Sequence, residues 1–162
     1  MMIFQVFTDG RPSGPLVIGK RPDHHGIVSN TMDSAELGPF SMGRPEAVTN
    51  RRWWDEAEPI WVTAENAGIR TGTMFWPGSE ADIHGVRPAR WSKFDHDMSS
   101  AQRVDVLLSW LDEPGDLGFA TLYFDVVDTA GHQFAPGAPE VKAAIKDVDE
   151  VVKGKEQELM AV

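Results

Sequence analysis

The sequence predicts an α/β fold, with a mostly parallel sheet flanked by helices. Three observations predict it. Gly118-Phe-Ala-Thr-Leu-Tyr-Phe124 is apolar without alternation, the pattern of a strand covered on both faces. Helical periods stand on either side of it, at Val104, Leu107, Leu108 and Leu111 and at Val141, Ile145, Val148 and Val152. Shorter apolar runs bounded by Gly and Pro come earlier and alternate with a further helix, which favours crossover connections.

Taken in order, residues 3–7 read as a strand that gives way at Asp9-Gly10 to a Gly- and Pro-rich turn. Pro59 suits the first turn of a helix that places Ile60, Trp61, Ala64 and Ala67 on one face and stops at Gly68. Thr71-Gly-Thr-Met-Phe-Trp76 reads as a strand halted by Pro77-Gly78, and residues 77–98 have no sustained period, as in a long surface excursion. Ser99 and Gln102 have capping-box spacing at the head of the second helix, which Pro114-Gly115 terminates. The strand over 118–124 belongs at the centre of the sheet. Pro139 opens the third helix and Gly154 stops it; no strand follows in residues 155–162. The whole, residues 1–162, reads as one domain without repeat or linker.

Composition limits the partners. There are 162 residues, 15 basic and 25 acidic, for a formal charge of −10, which repels a nucleic-acid polymer but leaves a mononucleotide held through cations possible. No apolar run approaches the roughly 18–20 residues that span a bilayer, so no membrane partner is expected. The absence of Cys excludes disulfides and thiolate chemistry. Residues 1–7 lack the basic region of an export signal.

The strongest candidate site is Asp125-Val-Val-Asp128-Thr-Ala-Gly131-His132, because open α/β sheets bind ligands beyond the carboxyl ends of their strands. Asp128 and His132 offer an oxygen and an imidazole nitrogen, both suited to Zn²⁺, with Gly131 letting the loop fold so that they converge. The same residues also read as a loop cap and its exposed neighbour. Trp91 and Phe94, on a loop at that edge, suit stacking of a nucleobase. His24-His25, His84 and His96 read as turn residues, with Asp95-His96-Asp97 a weaker metal candidate. Trp53-Trp54 reads as core. No phosphate loop, nucleophile elbow or dinucleotide fingerprint is present.

Four segments together carry a more specific signal: Leu16-Val-Ile-Gly-Lys-Arg-Pro-Asp-His-His-Gly-Ile-Val28, Trp53-Trp54 with Glu58-Pro-Ile-Trp-Val-Thr-Ala-Glu65, Gly72-Thr-Met-Phe-Trp-Pro-Gly-Ser-Glu80, and Tyr123-Phe-Asp-Val-Val-Asp-Thr-Ala-Gly-His132. They resemble the nucleotide pyrophosphatase/phosphodiesterase family, the type I phosphodiesterases of the alkaline phosphatase superfamily, over about residues 16–153, with 1–15 divergent and 154–162 a tail. The resemblance implies a partial alkaline-phosphatase-like fold. It also implies a small-molecule nucleotide or phosphodiester as partner, and hydrolysis by a Thr nucleophile and two zinc ions. It makes Asp128 and His132 ligands of one zinc, and sets Phe94, with Trp91, against the base.

Departures accompany the match. An ungapped register puts Asp9 where the family has its Thr nucleophile and Pro12 where it has a phosphate-binding Asn. The family's Asp-His-Gly segment and its later His have no counterpart after His132, so two of about six zinc ligands are present, whereas a catalytic zinc usually needs three. The expectation is a truncated family member without activity by itself. The alternatives are a hydrolase completed by Asp9, Thr8 or a partner chain, and a non-catalytic nucleotide-binding fragment. Exposed sheet edges predict self-association.

Overall fold

The computed structural model describes residues 19–115 and 117–155, together with the main chain of residues 2–6. Asp9, Thr8 and Pro12 therefore lie outside the described residues. Four strands, β1 (Met2–Val6), β4 (Thr71–Met74), β5 (Arg90–Ser92) and β6 (Phe119–Phe124), form a sheet in the order β1-β6-β4-β5. Every neighbouring pair is parallel. β6 lies inside the sheet, with Met2 opposite Ala120 on one side and Thr71 opposite Phe119 on the other. Thr121, Leu122 and Phe124 are fully buried, as its unbroken apolar run requires. A two-stranded antiparallel hairpin, β2 (Thr31–Ser34) with β3 (Gly38–Ser41), stands apart from this sheet. Its turn is set by Ser34 Oγ, which accepts from the N–H groups of Glu36 and Leu37, and by Gly38 at φ 78°.

The helices, in chain order, are α1 (Pro22–His25), α2 (Pro45–Val48), α3 (Ile60–Asn66), α4 (Ser100–Leu111), α5 (Val126–Gln133) and α6 (Pro139–Gly154). The capping box of α4 is formed. Ser99 Oγ accepts from the N–H of Gln102 at 3.3 Å and Gln102 Oε1 accepts from the N–H of Ser99 at 2.9 Å. In α3, Pro59 is the cap rather than a first-turn residue; of the expected face Ile60, Trp61, Ala64 and Ala67, Trp61 is buried and Ile60 packs beside it, while Val62 is buried and Ala67 is exposed. In α6 the buried stripe is displaced from the expected one: Ala144 and Val148 are buried, Val151 and Val152 pack beside them, and Ile145 is 50% exposed. Val148 and Val152 belong to both stripes, so the inward face is turned by roughly half of the about 100° that separates successive residues.

Residues 77–98 are a surface excursion only in their later part, where residues 93–97 are exposed. Ser79, Ala81 and Ile83 are buried, and β5 adds a strand to the sheet. Successive single turns hold this stretch, with Ser79 Oγ donating to Trp76 O at 2.7 Å and the N–H of Ala81 to Gly78 O at 3.2 Å. Turns of this kind leave no hydrophobic period to read. Gly78, at φ 86°, lets the backbone meet Trp54, whose ring a Cβ would approach to 2.8 Å.

Two cores flank the sheet. One gathers Ile27, Phe40, Trp53, Trp54, Trp61 and Trp76, so Trp53-Trp54 is core as expected. The other packs Leu107 and Leu108 of α4 and Val148 of α6 against Leu122 and Phe124. The Glu65 carboxylate ties the layers together, because Oε1 accepts from the N–H and Oγ of Thr71 and from the N–H of Ala89 at 2.7–2.8 Å. No helix among the described residues is long and apolar enough to cross a membrane.

Candidate functional site

Because the main strands are parallel, their carboxyl ends share one edge of the sheet, where side chains following β4, β5 and β6 meet. β4 ends at Met74 because Phe75 takes φ 62°, a left-handed conformation rare for a bulky residue and found mostly where function or tight packing imposes it.

Directly after β6 comes α5, where the sequence reading placed a loop. The low helix propensity of Asp, Thr, Gly and His concealed it. Helical spacing, and not a turn at Gly131, brings Asp128 and His132 together at i, i+4. His132 Nε2 stands 3.4 Å from Asp128 Oδ2, with the histidine largely exposed and the aspartate mostly buried. Two donors about 2.0–2.2 Å from one tetrahedral zinc stand about 3.4 Å apart, so the pair fits two positions of such a site. Among the described residues no cluster of three or more His, Asp or Glu side chains is suited to a metal ion.

Asp125, between β6 and α5, is buried and doubly paired. Oδ1 accepts from Arg103 Nη1 at 2.5 Å and Oδ2 from His96 Nδ1 at 3.0 Å. His96 is exposed, as a turn residue should be, but it is not free of partners. The Tyr123 hydroxyl is pushed up to about 12, by burial first and then by the Asp125 and Asp128 charges. It stays protonated throughout the physiological range.

Phe94 is 41% exposed. Its remaining surface meets Phe75 at 5.3 Å and Tyr123 at 6.4 Å between ring centroids, both edge-on, with the Arg103 guanidinium 5.8 Å from its centre. Its N–H donates to Glu80 Oε1 at 3.0 Å. Trp91 is in β5, not on a loop. It pairs with Thr73 and carries the Arg87 guanidinium 5.1 Å from its ring.

The other histidines are elsewhere. His25 in α1 is buried, and its Nδ1 accepts from the N–H of Ile27 at 3.3 Å; burial lowers its pKa from the usual 6.5. His24 lies 3.6 Å from Asp23. His84 donates through its backbone N–H to Asp55 Oδ1 and through Nε2 to Asp55 O, each at 2.9 Å. Sequence reasoning did not anticipate Arg103, Glu80 or Tyr123 at the site. Arg103 occupies a buried position of α4, and a charged residue at an apolar helical position is the signal that could have found it.

The parallel sheet, with these side chains gathered at the carboxyl edge of its strands, is that of an open α/β domain. The profile of the family described as type I phosphodiesterase / nucleotide pyrophosphatase matches residues 16–158, and the chain belongs to that family of hydrolases within the alkaline phosphatase superfamily. It is 39% identical over 140 residues to an uncharacterized pyrophosphatase/phosphodiesterase of Schizosaccharomyces pombe, covering 85% of this chain and 29% of the relative. It is 37% identical over 140 residues to the bis(5'-adenosyl)-triphosphatase of Xenopus laevis, covering 85% and 30%. Against human ectonucleotide pyrophosphatase/phosphodiesterase family member 1 it is 34% identical over 139 residues, covering 85% and 15%. The chain thus spans less than a third of these curated relatives. Among solved structures it resembles an inactive murine ectonucleotide pyrophosphatase/phosphodiesterase 5 in complex with AMP, with a TM-score of 0.80 at 26% identity over 93% of this chain and 41% of that one. That likeness bears out the alkaline-phosphatase-like α/β fold.

Proposed function

We propose that this chain carries the nucleotide-holding part of a hydrolase of phosphodiester or pyrophosphate bonds, with Phe94 against the base, Trp91 as a further contact on the edge strand, and Asp128 and His132 as ligands of one zinc. The observation that carries the reading is the 3.4 Å approach of Asp128 and His132 at the carboxyl end of the central strand. A zinc there supplies Lewis-acid polarisation of a phosphoryl oxygen. The chain's own residues do the rest. His132 offers an imidazole nitrogen and Asp128 a carboxylate oxygen. Tyr123, held neutral, supplies the ring that Phe94 leans on rather than a second anion. Phe94 leaves part of its ring open to a base. The AMP bound to the murine relative supports a nucleoside monophosphate as occupant.

Two ligands fall short of the three protein donors usual for a catalytic zinc, so residues 1–162 tested alone bind nucleotide without hydrolysing it. Titration with AMP followed by Trp fluorescence tests the binding, and saturable quenching is expected. A flat titration overturns it. Zinc-stimulated release of the chromophore from a chromogenic nucleotide ester would instead favour the active alternative, in which Thr8, Asp9 or a partner chain completes the centre.

A further inference from the structure

Arg103 is a cation taken almost wholly out of water, 3% exposed in the middle of an apolar helix face. Burial of a charge is costly, and well-packed apolar residues often replace a buried ion pair without loss of stability. Its contacts point to another use, since they join two segments of the site, the stretch before α4 at Met98 and the end of β6 at Tyr123 and Asp125. Nε donates to Met98 O at 2.9 Å, Nη1 to Tyr123 O at 3.3 Å and to Asp125 Oδ1 at 2.5 Å. The guanidinium also stands 5.0 Å from the centre of Phe75 and 5.8 Å from that of Phe94. Asp125 extends the link outward through His96, and its carbonyl accepts from the N–H of Thr129 at 2.8 Å in the first turn of α5. Packing between residues 96–98 and the start of α5 is incomplete, since a hollow of about 300 Å³ is lined by His96, Met98, Arg103, Asp125, Val126 and Thr129 among others.

We propose that Arg103 and Asp125 are positioning residues. Their ion pair, with His96 as its outer arm, fixes residues 94–98 to the end of β6 and so sets Phe94 in register with the helix that carries Asp128 and His132. This rests on the reading of Phe94 as the base contact. Removing the link leaves the segment held by the ring contacts of Phe94 and its bond to Glu80, with nothing tying residues 96–98 to the end of β6, so the shelf loosens while the cores stay packed.

The test uses the whole chain in three forms, the wild type, the double variant Arg103→Met with Asp125→Leu, and His96→Ala. Thermal melting, amide hydrogen exchange over residues 94–98, and AMP titration by Trp fluorescence are measured on each. The double variant keeps a cooperative melt, yet exchange over 94–98 quickens and AMP affinity falls, each by about tenfold. His96→Ala leaves the melt unchanged and shifts both readouts in the same direction by a smaller factor. Wild-type exchange and affinity in a folded double variant would overturn the proposal and leave the pair a purely structural one. If the double variant does not fold, unchanged exchange over 94–98 in His96→Ala overturns it. A wild-type chain that fails to bind AMP overturns the nucleotide reading alone, because the exchange measurement still decides whether the pair positions the segment.

Discussion

Aromatic residues gather twice in this molecule, and the two clusters are built on opposite terms. Around Phe40, Trp53, Trp54, Trp61 and Trp76 the rings are buried, and packing takes precedence over polar satisfaction. Among the described residues, the indole N–H groups of Trp61 and Trp76 and Nε2 of His25 have no hydrogen-bond partner. Around Phe75, Phe94 and Tyr123 a buried guanidinium is threaded among the rings and paired to a carboxylate and two carbonyls, and one ring is left partly open to solvent. The first arrangement fills space. The second holds a surface ring in place at the cost of a buried charge, which suits a contact for something that comes and goes.

If the first cluster is a filler, its removal should be felt globally. Trp61→Ala, at a side chain 1% exposed, should cost about 3–5 kcal/mol, read as a lowered urea midpoint. A loss below about 1 kcal/mol would mean that the cluster collapses around the gap and is less tightly packed than it looks. Phe94→Ala inverts the pattern. The residue is already 41% exposed, so the melt should hardly move, while AMP affinity drops by the roughly 1–3 kcal/mol that base–aromatic stacking contributes. A large stability loss with unchanged affinity would make the second cluster a core like the first.

His25 sharpens the comparison along the pH axis. Burial holds its folded-state pKa below the unfolded value of 6.5, so the unfolded chain binds the proton first. Its contribution is therefore fully present above pH 6.5 and is lost as pH falls below it. Asn offers an acceptor for the Ile27 N–H without a titrating ring, so His25→Asn should flatten that acid-side decline in a series of urea midpoints between pH 5 and 7.5. A decline of equal slope in both proteins would place the sensitive group elsewhere.

How much of this was legible in the sequence follows from which forces leave a periodic trace. The capping box at Ser99 and the apolar run of β6 are local patterns with one structural solution each, and both were read directly. The Asp128/His132 pairing was seen, but through the wrong geometry, since α5 is short and made of weak helix formers held by their place after the central strand. The buried turns over 77–83 and the Arg103–Asp125 link were not visible. The first are single local turns without a period and the second joins residues 22 apart in the chain, so neither leaves a repeating signature. Trp91 and Phe94 were read as one loop pair, whereas the edge strand ends between them.

The smallest effect tests this distinction between pattern and packing on a single helix. A stripe read from apolar periodicity makes Ile145 a core residue of α6, so its replacement by Ser should open a cavity. The structure has Ile145 half exposed and the neighbouring Ala144 buried. Ile145→Ser should therefore stay within about 0.5 kcal/mol of the wild type. Ala144→Leu should destabilise by about 1–3 kcal/mol, because Ala144 is buried in the cluster and extra methylenes overpack a filled core. Chemical denaturation of the two variants side by side decides which face of the helix is turned inward. The reverse order of costs would restore the stripe that the sequence alone suggests and rotate α6 against the cluster it covers.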